Sequence, residues 1–395
     1  MKEETRSAFN AAFKPETYQK MVAELDQKLG RKIEFRIAET PVFFPEAFLE
    51  KLIAAGNDLV KTIQAKDFLQ LTEKAIPAEW KVANETDHPH FLTFDFAVTR
   101  DDDGELTPKL IELQGFPSLY GFQSELAEHF RKHFPVIGNL TPYFVHTSQE
   151  SYFELLRKTI VGNHNPEEVI LLDIHAEQQK TAIDFQITAE KLGIAVVSLS
   201  DLKQKGKDFF YAKNGTDFPV KVIYNRLIFD EVPNKTEALK NVPDLLTSDR
   251  IKWVTHPNWF YRISKYTMPF LISEFVPKTY FLSELPNIPS NLDNYVLKPL
   301  LSFAGQGVII DVKESDIISI EDPENWILQE KVTYEPVIQA PDGLVKCEVR
   351  LMYLWPEGEA NPTLAINLVR LSRGKMIGVD FNRNFDWVGG TVGLF

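Results

Sequence analysis

The sequence predicts a protein of mixed class, in which an α/β unit with a parallel sheet interrupts an α+β chain. Three observations indicate this class. Apolar residues recur at helical spacing in residues 1–92, and apolar and polar residues alternate at strand spacing between Thr93 and Gln114. A strand, a helix and further strands then follow one another between Glu168 and Tyr224, the order that gives parallel strands joined by a right-handed crossover.

Composition limits the classes of function. A chain of 395 residues is long enough for two or three packed units, and 44% hydrophobic with 25% charged residues is typical of a globular protein. The net charge of −13, without a basic stripe, argues against nucleic-acid and anionic-membrane partners. The first residues carry charges of both signs, and no stretch approaches 18 apolar residues, so we expect a cytoplasmic protein. The sequence does not indicate an oligomeric state.

The N-terminal 92 residues predict helices over 16–29 and 45–66, whose apolar stripes we interpret as core faces without a chemical role. Cys347 is the only cysteine, which excludes an internal disulfide and a cysteine-rich metal site. Its apolar neighbours favour a small core residue.

A hairpin carries the first candidate site. Residues 93–98 and 109–114 alternate so that Asp95, Glu112 and Gln114 share one face if the strands pair by their apolar sides. Two carboxylates and an amide oxygen are suitable ligands for Mg²⁺ bound to substrate phosphates. The alternative is a two-sided sheet with polar residues outside. The irregular loop over 115–121 favours the site, because it would let a ligand approach the strand ends.

The α/β unit carries one candidate, Arg226, at the end of its last predicted strand. Open α/β sheets place ligand contacts there, although a surface arginine is an equally good interpretation. No glycine-rich turn follows the first strand, so a dinucleotide fold is not predicted. The predicted elements are strand 168–173, helix 176–192 ended by Gly193, and strands 194–199 and 220–224.

A lysine beside a glycine-containing loop lies in residues 294–332. An apolar strand carries Lys298, a small-residue loop runs over 302–307, a second strand is expected after Gly307, and a third over 326–332. Glycines let backbone N–H groups approach phosphate oxygens, and an ammonium group supplies a point charge. The pattern is neither a P-loop nor a dinucleotide fingerprint, so the alternative is a hairpin turn beside a solvated lysine.

Toward the C terminus, Glu348 and Arg350 share one face of a strand. Residues 365–370 and 376–379 predict a hairpin, and the glycines of 389–393 predict a flexible closing loop. His256 precedes a proline and has no carboxylate or cysteine partner in the sequence, so we expect no catalytic role for it.

Together these residues resemble a circularly permuted ATP-grasp ligase, the branch that includes glutathionylspermidine synthase and eukaryotic glutathione synthetase. The resemblance rests on Asp95 with Glu112-x-Gln114 and on residues 223–226, 262–265, 296–299 and 370–390 in this order. It implies an ATP-grasp fold with an inserted Rossmann-like, pre-ATP-grasp α/β domain. The implied domains are 1–142 with the metal-binding part, 143–245 as the inserted domain, and 246–395 with the lysines, glycine loop and hinge.

The resemblance also implies roles for single residues. ATP phosphates would be contacted by Lys265 and Lys298, under a loop that includes Ser302, Gly305, Gln306 and Gly307. Adenine would be bound by the hinge residues Gln329, Glu330, Lys331 and Val332. Mg²⁺ would be held by Asp95, Glu112, Gln114 and Glu348. Arg370 would face the γ-phosphate, and Gly389-Gly390 would shape the acceptor pocket. Beyond the resemblance, Arg226, Arg350 and Arg383 are candidates for binding a carboxylate substrate bidentately, although ordinary surface salt bridges are an equally good interpretation of each.

The implied function is an ATP- and Mg²⁺-dependent carboxylate–amine ligase that forms an amide or peptide bond through an acyl-phosphate. Its substrates would be small molecules, a carboxylate and an amine such as an amino acid, peptide or polyamine. Such chemistry needs positioning and electrostatics rather than a protein nucleophile. Two departures, Thr93 where an arginine is frequent and Gln114 in place of asparagine, favour one alternative, a catalytically weakened ATP-binding regulatory protein. A small-molecule phosphotransferase on the same scaffold is a further alternative.

Overall fold

The structure, a computed structural model, describes residues 1–145, 148–228, 245–301, 306–378 and 382–395. None of the helices in these ranges has the length and apolar character needed to cross a membrane. The helices are α1 (Glu3–Ala12), α2 (Pro15–Leu29), α3 (Glu46–Ile63), α4 (Phe68–Leu71), α5 (Tyr120–His133), α6 (Gln149–Ile160), α7 (Ala182–Leu192), α8 (Pro257–Arg262) and α9 (Glu314–Ile318).

A central antiparallel sheet joins two distant parts of the chain. The early hairpin pairs with strands from the C-terminal third, in the order β17, β16, β15, β2, β3, and β14 pairs with β15. Asp95 therefore lies opposite both Arg350 and Glu112. The strands are β2 (Phe91–Arg100), β3 (Leu106–Gln114), β14 (Pro336–Ala340), β15 (Gly343–Leu354), β16 (Thr363–Ser372) and β17 (Gly389–Thr391). A short parallel pair, β1 (Val42–Phe43) with β18 (Gly393–Leu394), joins the N-terminal region to the last residues of the chain.

The predicted early hairpin is confirmed, with longer strands and a bulge between Asp95 and Phe96. The expected exposure of its polar face is wrong for Asp95, which is 1% exposed. The reason is that β15 and β16 continue the sheet and cover this carboxylate with their own charged side chains. Cys347 on β15 is fully buried, as expected of a core residue.

The predicted parallel sheet is also confirmed, in the order β10, β9, β4, β5. Helix α7 ends at Gly193, which adopts the left-handed conformation. The helix begins later than expected, because Gln179 donates a hydrogen bond to Asp173 and holds the preceding segment as a turn. The strands are β4 (Val169–Asp173), β5 (Ala195–Ser198), β9 (Val222–Asn225) and β10 (Lys252–Val254), with a separate antiparallel sheet of β6 (Lys203–Lys205), β7 (Asp208–Lys213) and β8 (Thr216–Val220).

A third sheet carries the lysine segment. It consists of β11 (Thr279–Phe281), β13 (Trp326–Glu330) and β12 (Tyr295–Pro299), in that order and antiparallel. The strand expected after Gly307 is reduced to an isolated bridge between Ile309 and Leu297.

The strand predicted over 376–379 is wrong over 376–378, and Val379 lies outside the described residues. Asn382 explains the difference. Its side chain accepts hydrogen bonds from the N–H groups of Arg373 and Gly374 and donates to the carbonyls of Met376 and Gly378. These backbone groups are the ones that a β-ladder would need, so the segment remains a loop.

Candidate functional site

Four charged side chains form a network in the central sheet. Arg350 binds Asp95 through two bonds, with Nε 2.5 Å from Oδ1 and Nη2 2.6 Å from Oδ2. Arg370 Nη2 lies 2.9 Å from the same Oδ2 and also donates to Glu348. Tyr334 donates its hydroxyl hydrogen bond to the other oxygen of Glu348. Arg370 therefore bridges two buried carboxylates.

The network shifts the titration of its members. Burial alone would raise the pKa of Asp95, but the guanidinium groups of Arg350 and Arg370 hold it below its ordinary value. For Glu348 burial dominates, and its pKa is raised despite the charge of Arg370. Burial opposes the charge of Arg370, yet Glu348 and Asp95 raise its pKa. Arg370 thus stays charged. Of the two carboxyl groups in the network, Glu348 takes up a proton more readily than Asp95.

Lys298 lies beside this network, on β12. Its ammonium group donates to the Gln329 side chain at 2.6 Å and to the carbonyl of Ile111 on β3 at 3.1 Å. The residue is 9% exposed. Burial lowers the pKa of Lys298 to about 8, with Glu112 opposing that change and Lys265 adding to it. The solvated lysine of the alternative interpretation is therefore wrong.

Lys265 reaches the same place from a different element. It follows Ser264, whose hydroxyl accepts from the backbone of Tyr266 and starts a 3₁₀ turn. Lys265 Nζ lies 4.0 Å from Glu112 Oε1. Burial lowers the pKa of Lys265, and Glu112 partly offsets this. Two ammonium groups and one carboxylate thus meet at the end of β3.

A cavity of about 70 Å³ adjoins this cluster. Glu112, Gln114 and Lys265 line it together with apolar side chains. This volume holds a few water molecules, so a nucleotide would bind only if the surrounding segments separated. Of the predicted phosphate loop, Gln306 and Gly307 are exposed, and Ser302 and Gly305 lie outside the described residues.

The predicted adenine hinge lies at the end of β13. The Gln329 side chain is engaged on both sides, by Lys298 and by Thr279. The backbone N–H groups of Glu330 and Lys331 donate to the carbonyls of Lys278 and Asn294. Val332 lies two residues beyond the end of β13 and is half-buried. The role of these residues in binding adenine stays a prediction.

The predicted metal ligands divide into two groups. Glu112 and Gln114 face the small cavity, whereas Asp95 and Glu348 are held by guanidinium groups. In the part of the chain that the structure describes, no three His, Cys, Asp or Glu side chains are arranged as a metal site. Glu112 and Gln114 fit Mg²⁺ by their chemistry, and Asp95 and Glu348 fit it only after their arginine contacts rearrange.

Arg226 lies at the carboxyl end of β9 and packs on Phe116, which lines the small cavity. Its guanidinium group packs on Phe116 and Phe185, with distances of 4.3 and 5.3 Å to the ring centroids. The residue is 8% exposed, and its Nε and Nη1 atoms have no hydrogen-bond partner among the described residues. Asp173 lies at the neighbouring strand end, and burial raises its pKa although Arg226 opposes the shift.

A larger cavity, of about 730 Å³, opens on the other side of the arginine network. Arg350 and Arg370 line it, and so do Gly389 and Gly390. The sequence prediction missed the contribution of residues 18–37. The available signal was weak: residues 32–37 alternate charged and apolar side chains, as a strand would, without a recognisable motif.

Arg36 fastens the C-terminal segment over this cavity. Its Nε donates to the carbonyl of Val388 at 3.0 Å, and its own carbonyl accepts from the N–H of Gly390 at 2.9 Å. Its Nη2 binds Glu39 and Asp386. Burial raises the pKa of Glu39, and Arg36 opposes the shift. The glycine segment predicted to be flexible is thus held by defined contacts.

Comparison with known proteins gives a fold likeness. No protein-family model matches the chain, and no curated protein matches it. Among solved structures, it is similar to a glutathione synthetase-like effector, GSS30, from Globodera pallida in its apo form. The TM-score is 0.60 at 10% identity, over 96% of this chain and 97% of that one. This likeness is one of fold alone and does not assign an activity.

Proposed function

We propose that the protein is an ATP- and Mg²⁺-dependent carboxylate–amine ligase on a circularly permuted ATP-grasp fold. One observation carries the proposal. A hairpin from the first third of the chain and two lysines from the last third meet in a single cluster, with Lys298 Nζ 3.1 Å from the Ile111 carbonyl and Lys265 Nζ 4.0 Å from Glu112. Buried ammonium groups beside carboxylates are suited to a metal-bound triphosphate.

The chain's own residues would perform three tasks. Lys265 and Lys298 would bind phosphate oxygens, and Glu112 with Gln114 would hold Mg²⁺, joined by Asp95 and Glu348 when Arg370 leaves them. Arg370 would then stabilise the charge of the reacting phosphate oxygens. ATP supplies the phosphoryl group that activates a carboxylate as an acyl-phosphate, which an amine then attacks. The protein contributes positioning and charge.

The arginines would have different tasks. Arg350 uses Nε and Nη2 on Asp95, so we assign it the positioning of that carboxylate. Arg226 has two guanidinium nitrogens, Nε and Nη1, without partners in the described ranges, and one of them could donate a hydrogen bond to a second carboxylate, such as that of an amino acid serving as the amine substrate.

A trapping experiment tests the proposal. The purified protein is incubated with ATP, Mg²⁺ and a panel of carboxylic acids, with hydroxylamine as the amine. We expect ADP, phosphate and the matching hydroxamate to form in equal amounts, and only when an acid is present. Lys298→Met should abolish this, and Lys207→Met, at an exposed lysine of the β6–β7 turn, is the matched control.

ATP binding without hydroxamate or phosphate across the panel would contradict the ligase proposal. A regulatory ATP-binding protein would then be the better description. The engagement of Asp95 and Glu348 by Arg370 is the observation that favours this second candidate.

A further inference from the structure

The cavity of about 730 Å³ beside Arg370 has the size of a pocket for a whole small molecule. Helix α2, residues 32–37, the start of α5 and strand β16 enclose it. Its volume is well above what a single amino acid with a small side chain would fill. The residues that line the cavity therefore indicate the chemical class of ligand that it binds.

Part of the cavity wall is apolar. Phe35 and Phe122 meet edge to face there, with ring centroids 5.3 Å apart and an interplanar angle of 89°. Nearly half of the lining side chains are aliphatic or aromatic, including Val22, Leu119 and Leu371. Such a wall stabilises a ligand in proportion to the apolar surface that the ligand removes from water.

The charged groups of the cavity are mainly positive, against the net charge of −13 of the whole chain. Its two acidic residues are already engaged: Asp26 accepts from the Ile33 amide at 2.7 Å, and Glu34 pairs with Arg31. The basic residues that line it are Lys32, Arg36, Lys180, Arg350, Arg370 and Arg383.

Arg370 is the basic group best placed to meet a ligand. Its side chain is 37% exposed, and its ion pairs use Nη2. Its Nε and Nη1 atoms have no hydrogen-bond partner within the described ranges. A carboxylate that accepts a hydrogen bond from Nη1 would lie beside the network of Asp95 and Glu348, in the cavity that Phe35 and Phe122 also line.

We infer that this cavity binds a carboxylic acid with an apolar body, an acyl or arylalkyl chain, whose carboxylate meets Arg370 and whose body packs on Phe35 and Phe122. That this acid is the substrate of a ligase rests on the proposed function. That it binds in this cavity rests on the residues that line the cavity. Lysines and arginines outnumber carboxylates in this lining, so the cavity suits an anionic ligand better than a polyamine.

Calorimetric titration without ATP tests the ligand class. The probes are acetate, butanoate, hexanoate and octanoate, with octylamine and 1-octanol as charge controls. We expect affinity to rise about fourfold for each added methylene group that the cavity buries, which corresponds to about 0.8 kcal/mol. Octylamine should not bind, and 1-octanol should bind more weakly than octanoate. An affinity independent of chain length, or octylamine binding as well as octanoate, would overturn the inference.

Substitutions locate the binding. Phe35→Ser should flatten the dependence on chain length, because it removes half of the aromatic pair. Phe210→Ser, at a half-buried phenylalanine on β7 in the separate sheet, should leave it unchanged. Val22→Asn on α2 provides a second change, should the Phe35 variant fail to fold. If the folded cavity variants bind octanoate as the wild type does, the acid does not lie against this wall.

The two proposals fail separately. If binding depends on chain length but no hydroxamate forms in the trapping experiment, the proposed ligase activity is contradicted and the inferred ligand class is retained. If hydroxamates form only from hydrophilic acids and binding does not depend on chain length, the inferred ligand class is contradicted and the proposed ligase activity is retained.

Discussion

Burial changes the titration of Lys298. Its pKa of about 8 lies below the value of about 10.4 for a solvated lysine, so the ammonium form is lost as the pH rises through 8. A triphosphate prefers the charged form. We therefore expect the affinity for a non-hydrolysable ATP analogue with Mg²⁺ to be highest below pH 8 and to fall by up to about tenfold per pH unit above it. Titrations between pH 7.5 and 9.5 measure this.

Lys298→Arg is the control, because a guanidinium group keeps its charge throughout this range. Its nucleotide affinity should be lower at pH 7.5 and nearly constant up to pH 9.5. The same inflection near pH 8 in this variant would assign the titration to another group.

Arg370 links two buried carboxylates, so its removal should cost stability. We expect Arg370→Met to lower the free energy of unfolding by about 2 kcal/mol, less than for a fully buried pair because the side chain is 37% exposed. Adding Glu348→Gln should recover part of the loss, since it removes one of the uncompensated charges. Denaturant unfolding of the single and double variants measures the coupling, and strictly additive effects would contradict the bridge.

Residue types could be predicted at this scale, whereas their partners could not. The alternation around Asp95 and Glu112 predicted which face they share, because strand geometry has a period of two. The sequence does not show that Asp95 meets Arg350, since that contact depends on a strand more than 250 positions away in the chain. Burial of Lys298 was missed for the same reason.

At the scale of elements, the contact between residue 36 and strand β17 can be tested with adjacent glycines. Gly389 has a φ of +124°, and a Cβ there would lie 2.5 Å from the Arg36 carbonyl oxygen. Gly389→Ala should lower the free energy of unfolding by about 2 kcal/mol or more. At Gly390 the same oxygen would be 3.8 Å away, so Gly390→Ala should change it by less than about 0.5 kcal/mol. Equal effects in thermal unfolding would contradict the described packing.

The side-chain contacts of Arg36 should limit local opening of the C-terminal segment. Arg36→Ala should increase amide hydrogen exchange in residues 386–392, because it removes the side-chain bonds to Val388, Glu39 and Asp386. Arg31→Ala is the matched control, since Arg31 lies in the same segment but pairs with Glu34. Unchanged exchange in the Arg36 variant would show that the backbone pairing of β17 suffices.

Local patterns predicted elements well where their hydrogen bonds are regular. The hairpin and the parallel sheet followed from periodicity and from Gly193. The strand over 376–378 failed because one side chain, Asn382, takes its backbone hydrogen bonds, which periodicity does not detect.

For the whole molecule, the sequence predicted that the early hairpin and the late lysines would meet, and the contacts of Lys298 and Lys265 agree. It did not predict that residues 18–37 enclose the large cavity, because apolar residues that line a cavity and those that fill a core have the same spacing. The motifs in the sequence therefore did not indicate the walls of this cavity.

The central claim is that these two distant segments hold one triphosphate. An acyl-phosphate derivative of ATP, which transfers its acyl group to lysines beside bound phosphates, measures this directly when labelled peptides are identified by mass spectrometry. We predict labelling of Lys298 and Lys265 that excess ATP with Mg²⁺ prevents and that Glu112→Gln weakens. Labelling confined to other lysines, or labelling of these two that ATP does not prevent, would contradict the account.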